Sequence, residues 1–388
     1  MKQWIPGGVK LGCDELRRRI KGKRVALMLN ASALDNEGRL LMDVIIEEKW
    51  ADVAFFIGME HGVRGDIYAG MPGIGDIDYK TGIRIVNAYA CEDYHPPVEE
   101  IKKVDAVVFS AQDVGVRHWT YTPWMLMLLE SCAKADKEVI ILDRPNPLGG
   151  EVVEGGCAEP FSIGLLCGFD YPLRHGMTMG EIAMMYNEEK KIGAQLTVIP
   201  AEGWSRDLFY DQTGLVWLPP SPNMPTVDTA FYFATTGLLQ SSNCAIGIKT
   251  TTPFQYIGAP NFNGDAMATE LNSLALDGVY FVPKFYMSGL LGTAEQMPQL
   301  CNGVMTVIHD RKAFRPVTTQ LHIMDMLLRL YPEYVNFEED KKDARPRMGT
   351  HVICDRAARG ESLLPVIEDW WAQAEAFNKR RQPWLIYK

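Results

Sequence analysis

Four short apolar runs punctuate the first 150 residues: "RVALML" (24–29), "VAFFI" (53–57), "DAVVFS" (105–110) and "EVIILD" (138–143). Between them lie helical stretches, notably 39–49 and 123–135. Continuously apolar strands separated by helices predict a parallel sheet covered on both faces. The fold class expected is α/β, with a Rossmann-like doubly wound domain over 1–160. After "LGGEVVEGG" the texture changes. "TMGEIAMMYNEEKK" starts with Thr178 and has Glu181 three residues on, a capping box opening a helix. "LTVIP" (196–200) predicts a strand. "LPPSPNMPTVDTA" (218–230) carries four prolines and predicts a rigid extended loop, either a wall holding Asn223 and Thr226 toward a ligand or a plain crossover. From 264 onward helices and strands alternate again, ending in a helix around Trp370 and Trp371. This predicts a C-terminal α/β (α+β) domain over 161–388.

In doubly wound sheets, ligands bind at the carboxyl ends of the strands. Here the first strand ends in Asn30, Ala31 and Ser32, and the second leads to Glu60, His61 and Arg64. The third leads to Gln112, Asp113, Arg117, His118 and Tyr121, and the fourth to Asp143, Arg144 and Asn146. Four polar clusters on one sheet edge point to a site. "NASALDNEG" lacks the glycine pair that brings a pyrophosphate to a helix N-terminus, and there is no Walker A sequence. No nucleotide or other cofactor is implied. "GMPGIGD" (70–76) follows no clear strand and reads as a mobile loop or lid.

Composition narrows the partners. The 388 residues carry a net charge of −10. Nucleic acid and anionic membrane need a basic face, so neither is expected as a partner. The eight cysteines are scattered without a C-x-x-C pair, which reads as free thiols in a reducing compartment. The N-terminus has no apolar stretch of signal-peptide length, and no run is long enough for a membrane span. As written the chain reads as cytoplasmic; a removed leader would make it periplasmic or secreted.

Glu60 is the best general acid or base candidate, since a carboxylate in a partly closed pocket suits proton donation to a leaving group. The alternative is an ion pair with Arg64, four residues on. Asp113 is either a second carboxylate or the cap of the turn before Gly115, and Asp143 sits beside Arg144 as if in a salt bridge. His61, His118 and His175 lack ligand spacing, so no metal is expected. No G-x-S-x-G is present, so serine hydrolysis has no support. Arg64, Arg117, Arg144 and Arg174 outnumber what a neutral ligand needs, and arginine binds carboxylates bidentately. An acidic substrate group fits.

"EHGVRGD", "AQDVGVRHWTYT", "LDRPNPLGG", "RHGMTMGE", "TGLVWLPPSPNMPT" and "TTPFQYIGAP" occur in this order from 60 to 260. Together with the terminal "RRQPWLIYK", they resemble the NamZ-type exo-β-N-acetylmuramidase family of bacterial glycoside hydrolases, over nearly the whole chain. The resemblance implies two domains with the site in the cleft between them. It implies release of N-acetylmuramic acid from the non-reducing end of peptidoglycan fragments, in cell-wall degradation or recycling. It assigns the catalytic carboxylate to Glu60, with His61 setting its environment and Asp113 as a candidate partner. A muramyl lactyl carboxylate would give the arginines a partner. The substrate-binding set expected is Arg64, Gln112, Arg117, Tyr121, Arg144, Asn146, Arg174, His175, Asn223, Asn243 and Thr250. Trp119 and Tyr121 are either sugar-stacking or core residues. A glycosidase usually needs two carboxyls, but the substrate's own 2-acetamido group can replace one.

One stretch departs from the family. Where many members have E-x-T-N followed by G-R-G-T, this chain reads "QSSNCAIGIKTTTPF", with Gln240 for the acid and Ile248 for the arginine; "GAPW" becomes "GAPN", with Asn261. Two further readings follow from this departure. One is a non-catalytic sugar-binding protein on a degenerate scaffold, and the other an exo-hexosaminidase of altered specificity.

Overall fold

The computed structural model describes residues 8–71, 75–91, 93–288, 298–335, 337 and 344–388; part of the glycine-rich stretch 70–76 thus lies outside the described residues. The strands of the first half are β1 (Arg24–Leu29), β2 (Asp52–Gly58), β3 (Ile85–Asn87), β4 (Ala106–Ser110) and β5 (Glu138–Leu142). A two-stranded ribbon follows, β6 (Glu154–Cys157) with β7 (Pro172–Arg174), and then β8 (Leu196–Ile199). One six-stranded sheet runs β3-β2-β1-β4-β5-β8 with every neighbouring pair parallel. This is the Rossmann order, with its switch point where the chain leaves β1 toward opposite edges. The sixth strand comes from beyond residue 160, so the chain returns to this sheet after making the β6–β7 ribbon.

The strands alternate their side chains between two cores. Val25, Leu27, Leu29, Val108 and Ile140 pack on one face, against Leu16 and Ile20 of α1 (Cys13–Ile20) and Leu41 and Ile45 of α2 (Leu41–Glu47). Ala26, Met28, Val107, Phe109, Val139 and Ile141 pack on the other. Both faces being covered explains the continuous apolar runs. The second core is larger and does not stop at the sheet. It includes α4 (Tyr121–Ala135), α5 (Met179–Glu189) and α6 (Val227–Thr236), and it continues into the C-terminal half. Between α2 and α4 lies the one-turn α3 (Val98–Ile101).

The C-terminal half carries an antiparallel sheet, β10-β11-β9, made from β9 (Tyr256–Ala259), β10 (Val279–Met287) and β11 (Leu300–Ile308). Around it lie α7 (Gly264–Ser273), α8 (Pro316–Leu330), α9 (Arg345–Met348), α10 (His351–Ala358) and α11 (Pro365–Arg380). Helix α11 packs on β6, where a Cβ at Gly156 would overlap the indole of Trp370. The last residues stitch back to the first sheet. Tyr387 donates its hydroxyl to Asp143 at 2.8 Å and accepts from the Ala201 amide at 2.9 Å, and Arg206 donates its amide to the Lys388 carbonyl. The expected capping box is present at the start of α5, with Thr178 and Glu181 each accepting the other's backbone amide.

Candidate active site

Glu60 follows β2 by two residues. The chain turns there through two left-handed residues, His61 at φ 68° and Gly62 at φ 71°, closed by the Gly62 amide on the Met59 carbonyl. The left-handed backbone at Gly62 favours glycine, and a Cβ there would lie 2.7 Å from Ile67 Cδ1 and push that side-chain end aside. His61 is buried and its Nδ1 lies 2.9 Å from the Ile67 carbonyl. In the neutral ring this makes Nδ1 the donor and leaves Nε2 the acceptor. The histidine therefore fixes the shape of the turn that presents Glu60.

The Glu60 carboxylate is half-buried and accepts a hydrogen bond from the Thr120 hydroxyl. Its charge reaches Tyr89, Tyr121 and Arg347. Burial and this carboxylate both push the Tyr89 phenol up, so it stays protonated and can donate a hydrogen bond. Tyr89 packs tilted against Tyr94 (5.8 Å) and the fully buried Trp124 (5.9 Å), so its half-buried ring is held in an aromatic cluster. Arg347 comes from α9, at the far end of the sequence. It is half-buried and its guanidinium makes no hydrogen bond among the described residues. Burial lowers it, and Glu60 is the carboxylate that offsets the burial.

The ion pair considered for Glu60 and Arg64 does not form. Arg64 donates to both carboxylate oxygens of Asp78 and to Asp43, each at 2.8 Å. This network holds the Asp78 carboxyl down at about 2. Arg64 is thereby spent on fastening the turn to α2 and to the loop before β3.

The cluster after β4 and β5 is sealed. Arg117 is fully buried and donates to the carbonyls of Gly156 (2.6 Å), Tyr171 (3.0 Å) and Met348 (2.7 Å). Arg144 donates to Ser110 and the Leu34 carbonyl; Asn146 donates to the Met177 carbonyl. Gln112 donates to the carbonyls of Asp113 and Pro145. Arg174 donates to the Leu148 carbonyl and sits 3.7 Å from Glu154. Tyr121 bridges the halves: its hydroxyl accepts from Asn30 and donates to the Pro220 carbonyl, which pins the proline-rich loop to the end of β1.

Asp113 caps the Gly115 amide at 2.9 Å, the turn role considered for it. Its Oδ2 lies 3.3 Å from His175 Nε2, and His175 Nδ1 accepts the Met177 amide. Asp113 is 3% exposed and His175 0%. Strands β2 and β4 flank β1, so the ends bearing Glu60 and Asp113 start about 10 Å apart. Asp143, which looked paired with Arg144, instead accepts from Thr178, the Gly180 amide and Tyr387. Burial pushes its carboxyl up to about 6.

The remaining expected residues lie in the C-terminal half or the loop leading to it. Asn223 accepts the Lys249 amide at 3.2 Å, joining the proline-rich loop to the 247–250 turn, where Thr250 donates to the Gly247 carbonyl. Asn243 is exposed, with its amide on the Tyr334 carbonyl. Gln240 donates to the Gly237 carbonyl, and Ile248 packs half-buried against the core. Trp119 is buried between Tyr121 (5.1 Å) and Phe233 (5.8 Å), a packing position. Among the described residues no group of three His, Cys, Asp or Glu side chains converges to hold a metal ion. Sequence reading missed Tyr89, Thr120 and Arg347. Thr120 lay inside a quoted motif, but Tyr89 and Arg347 lay outside every motif and strand end considered.

Comparison with known proteins agrees with this architecture. The exo-β-N-acetylmuramidase NamZ N-terminal model matches residues 25–228 and its C-terminal model matches 231–387. The peptidoglycan β-N-acetylmuramidase NamZ of Bacillus subtilis (strain 168) is 35% identical over 387 residues, covering 100% of this chain and 92% of that protein. Crystal structures of two DUF1343 family proteins from Bacteroides fragilis NCTC 9343 superpose with TM-scores of 0.88 and 0.75, at 31% and 25% identity. Each match covers 98% of this chain and 99% of the other. The chain belongs to the exo-β-N-acetylmuramidase NamZ family.

Proposed function

We propose that this protein is an exo-acting β-N-acetylmuramidase that releases N-acetylmuramic acid from the non-reducing end of peptidoglycan fragments. The observation that carries the reading is Glu60, a half-buried carboxylate on a braced turn, held by Thr120 and walled by Tyr89. In this mechanism Glu60 donates its proton to the glycosidic oxygen as the bond to the anomeric carbon breaks. Water then adds to the sugar and restores the Glu60 proton. Tyr89 offers a neutral hydroxyl donor and an aromatic face to the ring.

Among the described residues, Glu60 is the carboxylate whose charge reaches Tyr89, Tyr121 and Arg347. This favours a route in which the substrate's 2-acetamido carbonyl attacks the anomeric carbon, with Glu60 first acid and then base. That route retains anomeric configuration. Asp113 acts in this account by holding the β4 loop through Gly115 and His175.

The test is incubation with a β-linked muramyl–glucosaminyl disaccharide, with products followed by NMR. Release of N-acetylmuramic acid in the β-configuration is expected. A wild-type chain that binds the disaccharide and never cleaves it would make the protein a sugar-binding member of the family. Cleavage of N-acetylglucosaminides in preference to muramides would make it a hexosaminidase of altered specificity. The stretch holding Gln240 and Ile248 motivates both of those readings.

A further inference from the structure

We infer that Arg347 is the specificity-determining residue of this site: it pairs with the carboxylate that distinguishes a muramyl unit from a neutral amino sugar. The inference rests on the proposed hydrolase reading. The four arginines that the sequence offers for an acidic group are each anchored by hydrogen bonds, and the two that keep unpartnered guanidinium nitrogens, Arg117 and Arg174, are sealed at 0% and 1% exposure. Arg64 is held by Asp43 and Asp78, and Arg117 by three carbonyls. Arg144 is held by Ser110 and Leu34, and Arg174 by Leu148 with Glu154 alongside. Recruiting any of them would strip buried partners of their donors.

Arg347 differs in each respect. Its guanidinium is half-buried and donates to no described residue. The carboxylate in its field is Glu60, which is already bonded to Thr120. Its other close neighbours, His118 and Cys167, offer no negative charge in their neutral forms: burial drives His118 well below its usual value. A desolvated guanidinium without a hydrogen-bonded anion is short of a partner. Its planar fork matches two carboxylate oxygens.

The backbone that carries it is fixed. The Met348 carbonyl accepts from Arg117, the Pro346 carbonyl from Cys167 Sγ at 2.7 Å, and the Gly349 carbonyl from the Glu159 amide at 2.7 Å. Gly349 is left-handed at φ 76°, and a Cβ there would overlap the Arg117 guanidinium. The buried Arg117 thus acts as a brace that presents Arg347 from the C-terminal half toward Glu60 on the first sheet. A carboxylate arriving on the substrate would take over the guanidinium and leave Glu60 to face the leaving oxygen.

The test reads binding, not turnover. Calorimetric titration would compare N-acetylmuramic acid, its lactyl methyl ester and N-acetylglucosamine on the wild type, Arg347→Met and Arg347→Lys, with thermal midpoints recorded for each. The wild type is expected to prefer the acid over the ester by about 10- to 100-fold. Arg347→Met should abolish that preference and leave N-acetylglucosamine binding unchanged, and Arg347→Lys should retain part of it. A folded Arg347→Met that keeps the preference overturns the inference. Should Arg347→Met not fold, Arg347→Lys decides: an acid preference equal to wild type overturns the bidentate pairing. A wild type that prefers the acid yet cleaves no muramide would sink the hydrolase reading and leave Arg347's role standing.

Discussion

Two strand ends on one sheet edge, alike in sequence, do opposite things in the fold. The turn after β2 and the loop after β4 each carry an acid, an arginine and a histidine behind an apolar strand, and the loop after β5 adds Asp143 and Arg144 beside the second. After β2 the arginine is spent on bracing, and the carboxylate is left half-open beside Tyr89 and Arg347. After β4 and β5 the polar side chains are buried and make their hydrogen bonds inward, onto carbonyls and neighbouring side chains, while Gln112 Oε1, Asp113 Oδ1 and both His118 ring nitrogens stay sealed without a partner among the described residues. Polarity at a strand end identifies the edge where chemistry can occur. Hydrogen-bond accounting decides which of its groups remain available.

The largest effect that would break this contrast lies on the sealed side. Arg117→Met removes three hydrogen bonds to buried carbonyls, so about 3–5 kcal/mol of stability should be lost in denaturant titration. A variant of near-wild-type stability would show that Arg117 is not the brace described. Gly237→Ala comes next, because its Cβ would overlap Nε2 of buried His118. The backbone there is helical, so the cost is overpacking alone, about 1–3 kcal/mol in chemical unfolding. An unchanged midpoint would contradict that packing.

The smallest effect concerns the loop that carries Tyr89 and Tyr94. His95 Nε2 lies 3.0 Å from Glu130, which raises His95 and lowers Glu130. The His95 contribution is complete below about pH 6.5 and is lost as pH rises through its elevated folded value. The Glu130 contribution is complete above about pH 4.5 and is lost as pH falls through its depressed value. The pair is partly solvated, so each limb should be about 0.5–1 kcal/mol. His95→Gln should remove the alkaline limb of a stability–pH curve; a curve that keeps that limb would assign it to another group.

The sheet was largely legible from sequence, because strands buried on both faces must be apolar throughout. The three-residue β3 was not, since its half-buried "IVN" is too short for a pattern to show. The return of β8 to the first sheet was hidden too, because a strand's own residues do not say which sheet it joins. The place of Glu60 on the turn after β2 was legible too. Arg347 was not: nearly 290 residues separate it from Glu60, and "RPRM" resembles any surface turn. The same gap explains why Arg117 looked like a ligand residue, since its acceptors are backbone carbonyls that no sequence pattern announces.

The most direct test compares Glu60→Gln with Asp113→Asn for hydrolysis of a chromogenic N-acetylmuramide, with thermal midpoints measured in parallel. Glu60→Gln should lower kcat/KM by about 10²- to 10⁴-fold at an unchanged midpoint. Asp113→Asn should cost about 1–2 kcal/mol of stability while the folded fraction keeps most of its activity. The reverse pattern, an active Glu60→Gln beside a stable and inactive Asp113→Asn, would move the chemistry from the β2 turn to the β4 loop and contradict the account.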